Sequence, residues 1–181
     1  MAASQKVAKI SDLKNEIKSS IGARNSNQAT TNMNISNTGV GKMIVHDKHD
    51  WSGSVLHTYP NIDTNDSANF IHRSILPEDP QGSYGCVIYA GPNVQGGSDN
   101  CAWVLAWKVL GNGSLNKIYV KTGLLSEYPK GAVNWNVIKD SLENSGSESE
   151  DYDALSGAEA SARIDPSADI AAATALFTVD L

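Results

Sequence analysis

His46, His49, His57 and His72 are the four histidines of a 181-residue chain, and three of them share one stretch, HDKHDWSGSVLH, that runs from His46 to His57. Clustered imidazoles are a common start for a transition-metal site, to which Asp47 and Asp50 would add carboxylate oxygens. In His46-x-x-His49 the rings point to opposite faces of an extended strand, so joint ligation requires a turn at Asp47-Lys48, with His57 and His72 arriving from neighbouring strands. No fixed ligand spacing of the HExxH kind is present, so a metal-binding protein or metal-dependent enzyme built on these four residues is the secondary expectation. The same stretch holds a second chemistry. Trp51, flanked by Asp50, Ser52 and Gly53, offers a flat apolar ring with a polar edge, which suits stacking on a sugar or lying among lipid headgroups. Asp50 and His72 would supply hydrogen bonds beside it.

Catalytic patterns are missing from the sequence. Serines are abundant, but no GxSxG elbow marks a nucleophile, and no glycine-rich loop marks a phosphate site. A non-enzymatic protein without a resident cofactor is expected. Cys86 and Cys101 cannot form a disulfide framework or a four-thiolate zinc site. Each lies in a strand-like stretch, GCVIYA and CAWVLAW, and reads as a buried reduced thiol.

The elements that must position these residues follow from periodicity. In residues 1–22, Val7, Ile10, Leu13, Ile17 and Ile21 recur at spacings of three or four, giving an amphipathic helix with lysines on its other side. Packing against the body of the domain is the simpler role for it. Peripheral membrane contact, with or without homo-oligomerisation, is the sharper one. From residue 23 onward the period becomes two. Ala29, Thr31, Met33 and Ile35 share one side of a strand, and GKMIVHD, GSVLHTY, SANFIHR, YGCVIYA, CAWVLAW and NKIYVK follow between Gly, Asn, Asp and Pro clusters. This pattern predicts a mainly β domain over 23–181, an antiparallel β-sandwich. Trp103, Leu105 and Trp107 have one parity and should share a core face. Trp135, Ile138 and Leu142 are helix-spaced, predicting a short helix near 133–143. The stretch 143–156, dense in Glu and Asp with no basic residue, reads as a solvated acidic loop. Ala158, Ala160, Ala162 and Ile164 alternate as a strand, and Phe177, Val179 and Leu181 favour a last strand over the helix that the alanines would support.

The net charge is −6, and its distribution is uneven. Residues 1–24 carry Lys6, Lys9, Lys14, Lys18 and Arg24 against Asp12 and Glu16, a local +3 that leaves −9 for the remainder. An acidic body repels phosphate backbones, so nucleic acid is not an expected partner. The first twenty residues hold no apolar run of the length a secretory leader or membrane span needs, so a cytoplasmic address is expected, with the nucleus reachable by diffusion.

In order along the chain, HDWSGSVLHTYP, NFIHR, GSYGCVIYAG, WVLAW, NKIYVK and VNWNVIKDSL resemble the small jasmonate-induced proteins of plants, from about Ala23 to the C-terminus. The marks are Asp50-Trp51 with Gly53, Phe70 with His72, Gly82-Ser83, and Trp103 with Trp107. The resemblance implies a stress- and defence-associated protein, in a group named for its induction and not for a reaction. It also implies a sheet-rich body like the lipid-binding sandwiches of the aegerolysin and actinoporin type, which recognise headgroups with aromatic-rich loops. The resulting expectation is a binding protein for a glycan or lipid headgroup, using Asp50, Trp51, Ser52, Gly53 and His72.

Overall fold

The computed structural model describes residues 28–39, 41–76, 79–93 and 100–179. The expected helix of residues 1–22 lies outside them. Strands β1 (Thr30–Asn37), β2 (Ile44–Ser52), β3 (Ser54–Val55), β4 (Asp66–Arg73), β5 (Ser83–Pro92), β6 (Asn100–Val109), β7 (Lys117–Leu124), β8 (Glu148–Asp153), β9 (Ala158–Ile164) and β10 (Ile170–Val179) are joined by one helix, α1 (Trp135–Glu143), after a 3-10 turn at Leu125–Glu127. One sheet has the order β3-β4-β1-β10-β9-β8 and the other β2-β5-β6-β7. The predicted sandwich and the short helix are both present. One detail departs from the antiparallel expectation, because β1 and β10 pair in parallel while every other ladder is antiparallel.

The two inner faces are complementary in size. β9 and β10 turn a row of alanines inward, Ala158, Ala160, Ala162, Ala171, Ala173 and Ala175, and β6 turns Trp103, Leu105 and Trp107 toward them. Small residues on one sheet make room for indoles on the other, which keeps the interior at native density. Trp103 also donates its Nε1–H to the Glu159 carbonyl at 3.1 Å. The smaller sheet is covered on its outer side as well, where Cys86, Ile88, Ala102, Val104 and Ala106 pack beneath Ile138 and Leu142 of α1. Covering on both faces explains why β5 reads as an unbroken apolar run instead of an alternation. No helix among the described residues is long and apolar enough to cross a membrane.

Two expectations about connections are corrected. The acidic stretch 143–156 is not a solvated loop: Glu148–Asp153 form edge strand β8, paired with β9. Its inward-turned side chains cap the free edge of β7. The Ile118 N–H donates to the Gly146 carbonyl at 2.9 Å. The Val120 N–H donates to Ser149 Oγ at 3.1 Å, and the Thr122 N–H to Asp151 Oδ2 at 2.8 Å. One main-chain carbonyl and two side chains thus replace a missing ladder along an edge that would otherwise invite strand addition. GSVLHTY was expected to be a full strand, yet the ladder covers only Ser54 and Val55, opposite Arg73 and His72, with one further bond from the Leu56 N–H to the Ile71 carbonyl. Cys86 lies opposite Ala106 and Cys101 opposite Gly91. Both thiols are free and buried, and they belong to different cores.

Candidate functional site

β2 positions the histidine–tryptophan stretch, and two bulges in it decide where the side chains go. Its register with β5 skips one residue between Val45 and Asp47 and one between Asp50 and Ser52, leaving His46 and Trp51 as the extra residues. A bulge bends the strand and re-aims the side chain it carries. His46 therefore joins His49 on the outer face, despite the opposite parity expected for an unbroken strand. There its Nε2 lies 2.8 Å from the Tyr128 carbonyl, while His49 stacks on Trp135 at 5.2 Å between ring centroids. His57 is exposed. His72 lies in the interior on the opposite side of the sheet. The expected convergence of His46, His49, His57 and His72 is thus absent from the geometry, and no group of three or more His, Cys, Asp or Glu that could hold a metal occurs among the described residues.

Asp50 and His72 do meet, but inside the sandwich. Asp50 faces inward, where its Oδ1 accepts the Tyr59 hydroxyl at 2.6 Å and lies 3.4 Å from His72 Nε2. That last contact is long for a hydrogen bond, and Nε2 has no other partner. On the far side of the ring, His72 Nδ1 is 2.9 Å from Ser83 Oγ, which is 2.8 Å from Thr31 Oγ1. Ser83 Oγ also lies 3.1 Å from the His72 carbonyl, so its single hydroxyl hydrogen is divided between that oxygen and His72 Nδ1, and His72 Nε2 is the weakest link of the chain of contacts from Thr31 to Tyr59. Burial raises the Asp50 pKa, but the hydrogen bonds from His72 and Tyr59 outweigh it and hold the carboxyl below its ordinary range. Burial and the same carboxylate push the Tyr59 hydroxyl up, so it stays protonated.

This order of Asp, His and Ser is that of a hydrolase relay, and sequence reasoning did not find it. His72 and Ser83 are both 0% exposed, so no substrate carbonyl can reach the hydroxyl. The relay instead binds β2, β4, β5 and β1 across the two sheets. One signal was available in the sequence: in NFIHR, His72 shares the parity of Phe70, a core residue, and opposes Ile71. Gly53 is structural as well. Its φ is +87°, and a Cβ there would stand 2.5 Å from the Arg73 carbonyl and 2.8 Å from the His72 ring. Only glycine permits this close turn between β2 and β3. Ser52 donates to Asp79 Oδ2 at 3.3 Å, tying the turn to the β4–β5 connection.

Trp51 faces outward, half-buried, on an aromatic platform. Its ring lies 4.7 Å from that of Tyr84 and 5.3 Å from that of His49. The Lys108 and Lys139 ammonium groups sit over the Tyr84 ring at 5.1 and 5.6 Å. Lys108 is held by Glu143 at 2.6 Å, and Glu143 also accepts the Tyr84 hydroxyl at 2.9 Å.

The Trp51–Ser54 turn stands at the end of the sandwich where three further connections meet, and hydrogen bonds lace them together. Gln28 Nε2 donates to the Ser74 carbonyl, and the Ser74 N–H to that of Ala29. The Thr30 N–H donates to the Asp169 carbonyl. Asn116 donates from its side chain to the Asp165 and Ala168 carbonyls and from its backbone to Pro166. From this framework project Ile75, Leu76, Leu115 and Ile170, exposed by 67%, 65%, 72% and 61%. Ile75, Leu76 and Leu115 lie on connections at this end and Ile170 begins β10 on the outer face of the larger sheet, so four aliphatic side chains are exposed around one end of the sandwich. Sequence reasoning passed over them because each follows or precedes a turn cluster without periodic company.

No family model matches the chain. A jasmonate-induced protein homolog from Atriplex canescens is 37% identical over 122 residues, which are 65% of this chain and 61% of the relative, so the match spans less than two thirds of that protein's own length. The resemblance read from the order of the motifs is borne out by this relative. Among solved structures, a crystal structure of the lipid binding protein Nakanori superposes with a TM-score of 0.69 over 92% of this chain and 79% of its own, at 16% identity. At that identity the likeness is one of fold.

Proposed function

We propose that the chain is a stress-associated, non-enzymatic binding protein that docks on lipid surfaces through the end of the sandwich carrying the Trp51 turn. The observation that carries this reading is the exposed set Ile75, Leu76 and Leu115, on connections tied by main-chain and amide hydrogen bonds, with Ile170 at the start of β10 at the same end. Moving one such side chain from water into an acyl environment is worth about 1.5–3 kcal/mol, so even partial insertion of several supports reversible binding. Trp51, in the turn at the same end of the sandwich, supplies the amphipathic ring suited to the headgroup layer. The name of the relative supports the stress association, and the lipid-binding title of the structural neighbour supports the ligand class. Asp50, Ser52, Gly53 and His72 serve this site by shaping the turn that presents Trp51.

Flotation with neutral phosphatidylcholine liposomes tests the reading. Leu76→Ser combined with Leu115→Ser should reduce the floated fraction at least about tenfold with an unchanged urea midpoint, because neither side chain is packed. Equal flotation by parent and double variant would end the proposal. A separate prediction concerns Trp51→Ala, which should weaken flotation severalfold while costing about 1–2 kcal/mol of stability through lost contact with Tyr84 and His49. Chemical denaturation read by circular dichroism gives the second figure. Residues 1–22, which lie outside the described residues, are tested by truncation. A chain lacking them should still float if the loops suffice; loss of flotation on truncation alone would transfer the role to that segment.

A further inference from the structure

The outer face of the larger sheet carries a broad open groove of ≈ 790 Å³ across β1, β10, β9 and β8, remote in character from the aliphatic end. Its volume lies within the range of small-ligand sites. Strand register sets the side chains of this sheet face in two rows, and the groove lies over their members on β1, β10, β9 and β8. The first runs Asn69, Asn34, Thr174, Arg163 and Glu148, and the second Ser67, Ser36, Leu176, Ser161 and Glu150. Neighbours in a row stand about 4.8 Å apart and the rows about 7 Å apart, so the face is a grid of short polar groups at sub-nanometre spacing.

The polar groups are oriented but not used up. Asn34 Nδ2 donates to Asn69 Oδ1 at 2.7 Å, which leaves the Asn34 carbonyl oxygen and the Asn69 amide hydrogens facing outward. Ser36 and Ser67 share one hydrogen bond at 2.8 Å, and each keeps spare capacity. Arg163 donates from Nε to Thr174 Oγ1 at 3.3 Å, and it forms no ion pair among the described residues although Glu148 is its cross-strand partner. Its remaining guanidinium hydrogens are open to an acceptor. Leu176, 41% exposed in the second row, gives the floor one apolar spot.

We infer that this groove is a binding site for a neutral oligosaccharide, distinct from the lipid-facing end. Hydroxyl-rich pyranose units offer both donors and acceptors to amides, serines, Arg163 and the two carboxylates, and a C–H face to Leu176. Charge excludes the nearest rivals: Glu148 and Glu150 against one arginine leave the groove net negative, which disfavours phosphate-bearing ligands.

A printed array of neutral tetra- to hexasaccharides, followed by calorimetric titration of whichever glycan is retained most strongly, tests the site on the full chain. The substituted side chains face solvent, so folding is not at stake. Asn34→Ala and Arg163→Ala should each weaken affinity for the retained glycan at least about fivefold. Both variants should float with liposomes as the parent does, while the Leu76→Ser, Leu115→Ser protein keeps its glycan affinity. Retention of no neutral glycan, or retention indifferent to Asn34→Ala and Arg163→Ala, overturns the inference. Capture of a lysine-rich peptide in place of any glycan, abolished by Glu148→Gln with Glu150→Gln, also overturns it.

Discussion

His72→Ala should lower the unfolding free energy by about 3 kcal/mol, one of the two largest losses expected from a single substitution at a polar position of this protein. The imidazole is wholly enclosed, lies against Trp107 at 5.2 Å between centroids, and is the link between Ser83 and Asp50. Its removal leaves a cavity beside the indole, which accounts for most of the loss, and takes one contact from Ser83, which keeps Thr31 Oγ1 and the carbonyl of residue 72. Asp50 suffers differently. It keeps the Tyr59 hydroxyl but loses the imidazole that helps hold its pKa down. Urea denaturation of His72→Ala, Ser83→Ala and the double variant checks the network. Coupling of about 1 kcal/mol or more between the two sites is expected from their direct contact, and strict additivity would show that the relay is not a unit. A catalytic reading predicts the reverse pattern: lost hydrolysis with retained stability.

This outcome bears on how a binding residue can be mistaken in a sequence. His72 drew attention as a polar, ionisable residue close to Trp51, and proximity was read correctly: Asp50 and His72 do touch. Facing was not. Whether a strand residue points to core or solvent depends on its parity with respect to residues of known burial, and the two bulges in β2 break that parity between His46 and Ser52. Strands with clean alternation were legible: β1 through Ala29, Thr31, Met33 and Ile35, β9 through its alanines, and β10 through Phe177 and Val179, each burying the side that the pattern assigns. In the last case tertiary pairing with β1 and β9 overrides the helical preference of alanine. Trp103, Leu105 and Trp107 were likewise placed by parity alone. The aliphatic patch and the polar groove were not legible, because both depend on which connections and strands become neighbours. Thr174 and Glu148 share a row with Asn34 only after β10 has paired in parallel with β1 and β8 has closed the sheet.

β8 shows the same limit from the side of energetics and supports the last prediction. Its sequence ESEDYD has no apolar residue to mark an inner face except by position, so hydrophobic periodicity is silent, and a loop is the natural reading. The strand is held instead by what Asp151 accepts: the Thr122 N–H at 2.8 Å, the Thr122 hydroxyl at 2.7 Å and the Lys121 ammonium at 2.8 Å. Asp151→Ala should cost about 2–3 kcal/mol, because it strands a buried Thr122 donor pair and uncaps the β7 edge. The Lys121 contact adds little, since that side chain is 45% exposed and water screens it. Burial raises the Asp151 pKa, while Lys121 and Thr122 lower it more, so the folded-state value lies below the ordinary one. A depressed carboxyl contributes stability that is complete above its unfolded pKa, about 3.9, and is lost as pH falls through that value toward the folded one. Asp50 and Glu143 are lowered too, by His72 with Tyr59 and by Lys108 with Tyr84 against their own burial, so three carboxylates act in the same window. The urea midpoint should therefore be level from pH 7 to about pH 5 and fall below about pH 4, and Asp151→Asn, which keeps an acceptor but no charge, should make that acid limb shallower. A parent midpoint that does not move between pH 5 and pH 3 would refute the coupling. An Asp151→Asn protein as acid-sensitive as the parent would remove Asp151 from it.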